Sequence, residues 1–181
     1  MSIGGLLVKV HLKYKYGLLT AYYRDTVRFR ILNTNPIEQT LDRSCEIHVL
    51  TCAKDWLNLV WTLKTFYHYS NRHYALCIHD DGTLTESDRA TLKHHFPNAR
   101  LIDRSSADAR IFAELEAYPR CLDFRQSNHL APKVFDFASY LESDRMLLLD
   151  SDILFYRSPI ELIRHIEDPD YRLNAVNSDI A

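Results

Sequence analysis

The chain has 181 residues, enough for one full domain but not comfortably two. It is 46% hydrophobic, 12% aromatic and 25% charged, as ordinary globular proteins are, and four Gly and six Pro argue against long flexible linkers. A net charge of −2 offers nothing to nucleic acid, and no apolar run approaches the ~20 residues of a membrane span.

The start, "MSIGGLLVKVHLKYKYGLL", has short apolar runs broken by Lys9, Lys13 and Lys15, unlike a secretory signal. Over residues 1–43 basic side chains outnumber Asp25, Glu38 and Asp42, with Leu, Tyr and Val interleaved. The pattern predicts a leader of one or two amphipathic helices ending near Asn33, where "NTNPIEQ" is turn chemistry. Packing on the domain or on further chain is its plain role. The sharper reading lays it peripherally on an anionic membrane surface.

From residue 44 the pattern turns regular. "EIHVLT" predicts a strand over Glu46–Thr51, and "DWLNLVWTLKTFYHYS" a helix capped by Asp55, with Trp56, Leu59, Val60, Leu63 and Phe66 at helical spacing. "HYALCIHD" predicts a second strand, "TESDRATLKHHF" a helix and "ARLID" a short third strand. His94 and His95 end that helix, where an imidazolium suits the dipole.

"SADARIFAELEAY" predicts a helix stopped by Pro119, "RCLDFRQSN" a loop, and "HLAPKVFDFASYLES" a helix with Pro132 in its first turn. "RMLLLD" has no polar alternation, which predicts a central strand covered on both faces. "SPIELIRHIED" predicts a helix with Ser158 as cap, and "YRLNAVNSD" one more strand. Strands alternating with helices imply an α/β domain with a largely parallel sheet. Such sheets bind ligands beyond the carboxyl ends of their strands.

Asp150 and Asp152 follow the "RMLLLD" strand, and Ile153, Leu154 and Phe155 resume the apolar run. Two like charges inside the most hydrophobic stretch need a partner, because burying unpaired carboxylates is costly. A divalent cation relieves them, and Mn²⁺ or Mg²⁺ prefers oxygen ligands while keeping part of its shell for water and phosphate. The plain alternative is a solvated turn, since the DxD pattern alone is weak. Asp80 and Asp81 after the second strand, and Thr51 and Cys52 after the first, belong to the same sheet edge.

The segment "KVFDFASYLESDRMLLLDSDILFYRSPIEL", with "HVLTCAKD" and "CIHDDGTLT", resembles the core of nucleotide-sugar-dependent glycosyltransferases of the GT-A fold. The resemblance runs from about Cys45 to Ala181 and omits the leader. It implies a Rossmann-like three-layer αβα sandwich over residues 44–181, binding a nucleotide-diphosphate sugar, UDP-sugar favoured. Asp150 and Asp152 would hold the metal, and Ser151 would touch the ribose. Thr51 and Asp81 would meet the nucleoside, and Lys133 the phosphate. Family members continue well past the DxD into an acceptor half, so the resemblance also implies a chain truncated after this region. The acceptor and the catalytic base stay unassigned.

Three other readings fit parts of the pattern. A haloacid-dehalogenase-like phosphatase also carries DxD after a buried strand, but near the chain start. A nucleotidyltransferase would carry a Gly-rich loop where "LTCAKDW" has none. An inactive nucleotide-sugar-binding fragment or interaction module is the non-enzymatic case. Cys45, Cys52, Cys77 and Cys121 never reach CxxC spacing, which favours reduced thiols in a cytoplasmic setting over a zinc site. The scattered histidines do not suggest a metal centre either. His79 is expected to be packed or hydrogen-bonded, or else near the nucleotide. His129 is expected to cap locally or meet phosphate. Asn177 and Asp179 would line the sugar pocket or form a polar chain end.

Overall fold

The computed structural model describes residues 3–39 and 44–171. The strand expected after Tyr171, with Asn177 and Asp179, lies outside the described residues. Two compact units are present, Met1–Pro36 and Ile37–Ala181. The boundary falls before the expected one at residue 43 because residues 37–39 are tied into the second unit. Ile37 N donates to the His95 carbonyl at 2.9 Å, and the Asn98 amide donates to the Gln39 carbonyl at 2.9 Å.

The first unit holds helix α1, Ile3–Asp25, and a 3-10 helix, Val27–Asn33. The helical path of α1 breaks at Gly17, whose φ of 83° and ψ of 159° suit only a residue without a Cβ. Val10, Leu18, Leu19 and Tyr23 on α1 are exposed. No helix among the described residues is long and apolar enough to cross a membrane.

The second unit is mixed α/β around a four-stranded, all-parallel sheet. Its strands are β1 (Glu46–Thr51), β2 (Ala75–Asp80), β3 (Arg100–Ile102) and β4 (Met146–Leu149), in the order β3-β2-β1-β4. Helices α2 (Trp56–Ser70) and α3 (Glu86–His95) form the crossovers β1 to β2 and β2 to β3, and they pack on each other. α4 (Arg104–Glu114), α5 (Pro119–Ser127) and α6 (Asp136–Tyr140) lead from β3 to β4, and α7 (Ile160–Glu167) follows.

Side chains alternate across the pleat. Ile47, Val49, Leu76 and Ile78 are at most 1% exposed and form one face of the core. The opposite face carries Glu46, His48, Cys77 and His79, and Phe137 of α6 lies against both histidines. On α2 the predicted stripe is buried at Leu59, Val60, Leu63 and Phe66. The strand order reverses between β1 and β4, so the crevice of this sheet opens beyond Thr51 and Leu149.

Five local expectations are corrected. β4 is an edge strand among the described residues, with Met146 38% and Leu148 44% exposed, so its unbroken apolar run does not mark a strand covered on both faces. "RCLDFRQSN" lies in helix α5, started by Pro119 at a position where the missing N–H costs nothing. The single helix expected over residues 129–143 is split into a 3-10 turn, Ala131–Lys133, and α6. Asp55 occupies the cap position of α2, but its carboxylate accepts from Cys52 Sγ at 3.3 Å instead of from a helix N–H. Pro159, not Ser158, stands at the cap of α7.

Candidate active site

Thr51 closes β1 and is 3% exposed, yet its Oγ1 has no hydrogen-bond partner. Its carbonyl accepts from Asp81 N at 3.0 Å, which ties the ends of β1 and β2 together. Asp80 is buried and structural: it accepts from Gly82 N at 2.8 Å and Leu84 N at 3.2 Å and pairs with Arg89. The tight turn that follows requires Gly82, whose φ is 97°. Asp81 accepts from the Thr83 backbone and hydroxyl at 2.9 and 2.6 Å, and Thr83 Oγ1 accepts from Ala53 N at 2.9 Å. The loops after β1 and β2 are thereby knitted into one rim.

The opposite rim is the turn after β4. Thr62 of α2 donates to the Ser151 carbonyl at 2.9 Å, and Phe155 N donates to Thr65 Oγ1 at 3.2 Å. Asp150 is exposed and ion-paired with Lys133, which reaches it from the 3-10 turn. Asp152 is exposed as well.

Between the rims lies a cleft of about 320 Å³ at the switch point of the sheet. Thr51, Asp81, Lys133, Asp150, Ser151 and Asp152, the residues expected from sequence to hold the metal and the nucleotide, all line it. His129 lines it too, as does Asp55, which sequence reasoning treated only as a cap. Position just past a parallel strand was the available signal for Asp55. A larger cavity of about 460 Å³ lies by Ser44 and Arg145, before β1 and β4. That is the wrong end of the sheet for a ligand, and its arginines are engaged: Arg72 with Glu167, Arg145 with the carbonyls of His165, Asp168 and Tyr171.

No protein-family model, no curated protein and no solved structure matches the chain.

Asp150 and Asp152 offer carboxylate oxygens to the cleft, and Asp150 is ion-paired with Lys133. Among the described residues no third His, Cys, Asp or Glu donor stands with them. Among the described residues a three-donor group lies elsewhere, where neither the histidines nor the cysteines were expected to mark a metal centre. His48, Cys77 and His79 are buried and bring one donor atom each within 4.8 Å of one another, a group able to hold a metal ion. Sequence spacing hid it because the three come from neighbouring strands, where His48 stands opposite Cys77 in register.

This cluster sits on the inner face beneath the cleft. Burial works against ionisation of Glu46, but hydrogen bonds from His48 and Arg100 prevail and hold its carboxyl at about 2. Burial, with His48 and Arg100 nearby, pushes His79 down to about 3, so its ring is neutral. His79 is packed against Phe137 and does not line the cleft.

Proposed function

We propose that the second unit is the donor half of a metal-dependent glycosyltransferase of GT-A type, transferring a sugar from a nucleotide diphosphate, UDP favoured, to an acceptor. One observation carries the reading: the DxD carboxylates and four further polar residues converge on a single cleft at the switch point of a parallel sheet. Ligands of such sheets bind there.

Asp150 and Asp152 would hold Mn²⁺ or Mg²⁺. The bound cation supplies positive charge to the departing nucleotide diphosphate. The protein's own groups do the positioning. Thr51 Oγ1, buried and unpartnered, offers a hydrogen bond to the nucleoside. Asp81 accepts from Thr83 with one carboxylate oxygen, which leaves the other for a ribose or base N–H or O–H. Ser151 is fixed by Thr62 and turns toward the ribose. Lys133 neutralises Asp150 while the cleft is free of cation, then moves to phosphate when the cation takes over that duty.

A thermal-shift screen of UDP-, GDP- and CDP-sugars with Mn²⁺ tests the reading. Stabilisation by one nucleotide class that disappears on chelation supports it. No stabilisation by any nucleotide in Mn²⁺ or Mg²⁺ contradicts it.

A further inference from the structure

The sheet face under α6 is polar where a core is normally apolar. Glu46, His48, Cys77 and His79 are each at most 2% exposed. Polar groups in such a place cost free energy unless their bonding is complete. Glu46 is complete, accepting from Arg100 at 2.7 and 3.1 Å, from the Glu142 backbone at 3.1 Å and from His48 Nε2 at 3.1 Å.

That last bond sets the tautomers. His48 donates from Nε2, so its Nδ1 is a lone pair, and it lies 3.1 Å from His79 Nε2. Cys77 Sγ lies 3.4 Å from the same His79 nitrogen. As a hydrogen-bonded core the cluster stays incomplete: His79 Nδ1 is buried with no partner.

The two separations at His79 Nε2, 3.1 and 3.4 Å, are close to those of ligands sharing one ion. Nitrogens at ~2.0–2.1 Å and a sulfur at ~2.3 Å from a shared metal stand roughly 3.2–3.6 Å apart. A carboxylate that takes the remote N–H of a ligating histidine is the usual outer partner of such a site, and Glu46 fills that role for His48. The rings of Phe137 and Tyr140 flank His79 at 4.5 and 5.8 Å.

We infer that His48 Nδ1, His79 Nε2 and Cys77 Sγ bind one thiophilic transition-metal ion, Cu⁺ or Zn²⁺, that staples β1 to β2 beneath the cleft. A thiolate with two imidazoles suits either ion and does not suit the Mn²⁺ or Mg²⁺ of the DxD turn. On binding, the Cys77 proton leaves to solvent, His79 shifts its proton to Nδ1, and three donor pairs go to the metal. With every donor buried, the ion enters as the chain folds.

The test refolds the full chain anaerobically, under reducing conditions, with Cu⁺, Zn²⁺ or Co²⁺ alone. Metal content is then measured after gel filtration. The inference expects one ion per chain, with the Cu⁺ and Zn²⁺ arms identifying the resident metal. It expects a thiolate-to-metal absorption band in the Co²⁺ form, lost in Cys77→Ser and kept in Cys121→Ser. Glu46→Gln should weaken retention about 10-fold or more, and this variant serves where Cys77→Ser does not fold. Folded wild-type protein that retains none of the three ions overturns the inference, as does a Co²⁺ band that survives Cys77→Ser. Binding of UDP with Mn²⁺ is read separately and does not bear on this result.

Discussion

Thr62 on α2 donates its hydroxyl to the carbonyl of Ser151 at 2.9 Å, joining the first crossover helix to the turn between the two DxD carboxylates. Thr62 is fully buried, and Thr65 one turn on holds Phe155 N at 3.2 Å. The turn is therefore gripped from below at two points while Asp150 and Asp152 stay exposed above.

Thr62→Val keeps the shape and removes the grip. It should cost about 1 kcal/mol in urea unfolding, the ordinary worth of one such hydrogen bond. Calorimetry should also show UDP affinity in Mn²⁺ falling about fivefold, roughly 1 kcal/mol. Lost stability with unchanged UDP affinity would mean the turn is not a donor-binding element.

Lys133 and a metal compete for Asp150. Lys133→Met should tighten Mn²⁺ binding in the absence of nucleotide, because a rival cation has gone. The same variant should weaken UDP binding at saturating Mn²⁺, because a phosphate contact has gone. Both are read by calorimetry. Weakening of both would assign Lys133 a structural role only.

Arg125 of α5 is fully buried and holds Asp136 at 2.6 and 2.7 Å and Asp108 at 2.9 Å. Removing Asp136 leaves the buried guanidinium with Asp108 alone, so Asp136→Leu should cost about 3 kcal/mol in urea unfolding. Arg125→Met combined with Asp136→Leu should recover most of that loss. A double variant no better than the single would show the pair supplies packing that Met and Leu cannot.

His95 is 1% exposed, and burial, with Lys64 and His94 nearby, pushes it from 6.5 down to about 4. The expectation of an imidazolium at the end of α3 thus fails at His95, because the ring turns into the core. Between those values the unfolded chain binds a proton that the folded chain does not. Stability is therefore full above pH 6.5 and declines as pH falls toward 4, by about 2–3 kcal/mol from this group. Urea unfolding across that window should show a shallower decline in His95→Leu. An unchanged slope would place the acid sensitivity elsewhere.

The legible parts of this fold were those whose periodicity is local. β1, β2, β3 and the stripe of α2 announce themselves by period two or by helical spacing. α5 did not, because its buried anchor is Arg125, and Phe124 on the same helix is 43% exposed. β4 misled because an apolar run records composition and not which neighbours cover it. The cleft was legible because strand-end position is a topological property that the order of elements already implies. The His48–Cys77–His79 cluster was not, because strand register joins residues that are distant in sequence.

Calorimetric titration of UDP into the full chain with Mn²⁺, repeated with Asp150→Ala, with Asp152→Ala and after chelation, tests the central claim most directly. The account predicts saturable binding by the wild type that either substitution, or removal of the cation, reduces at least tenfold. Binding that survives both substitutions and chelation would contradict it, as would a wild type that binds no nucleotide at all.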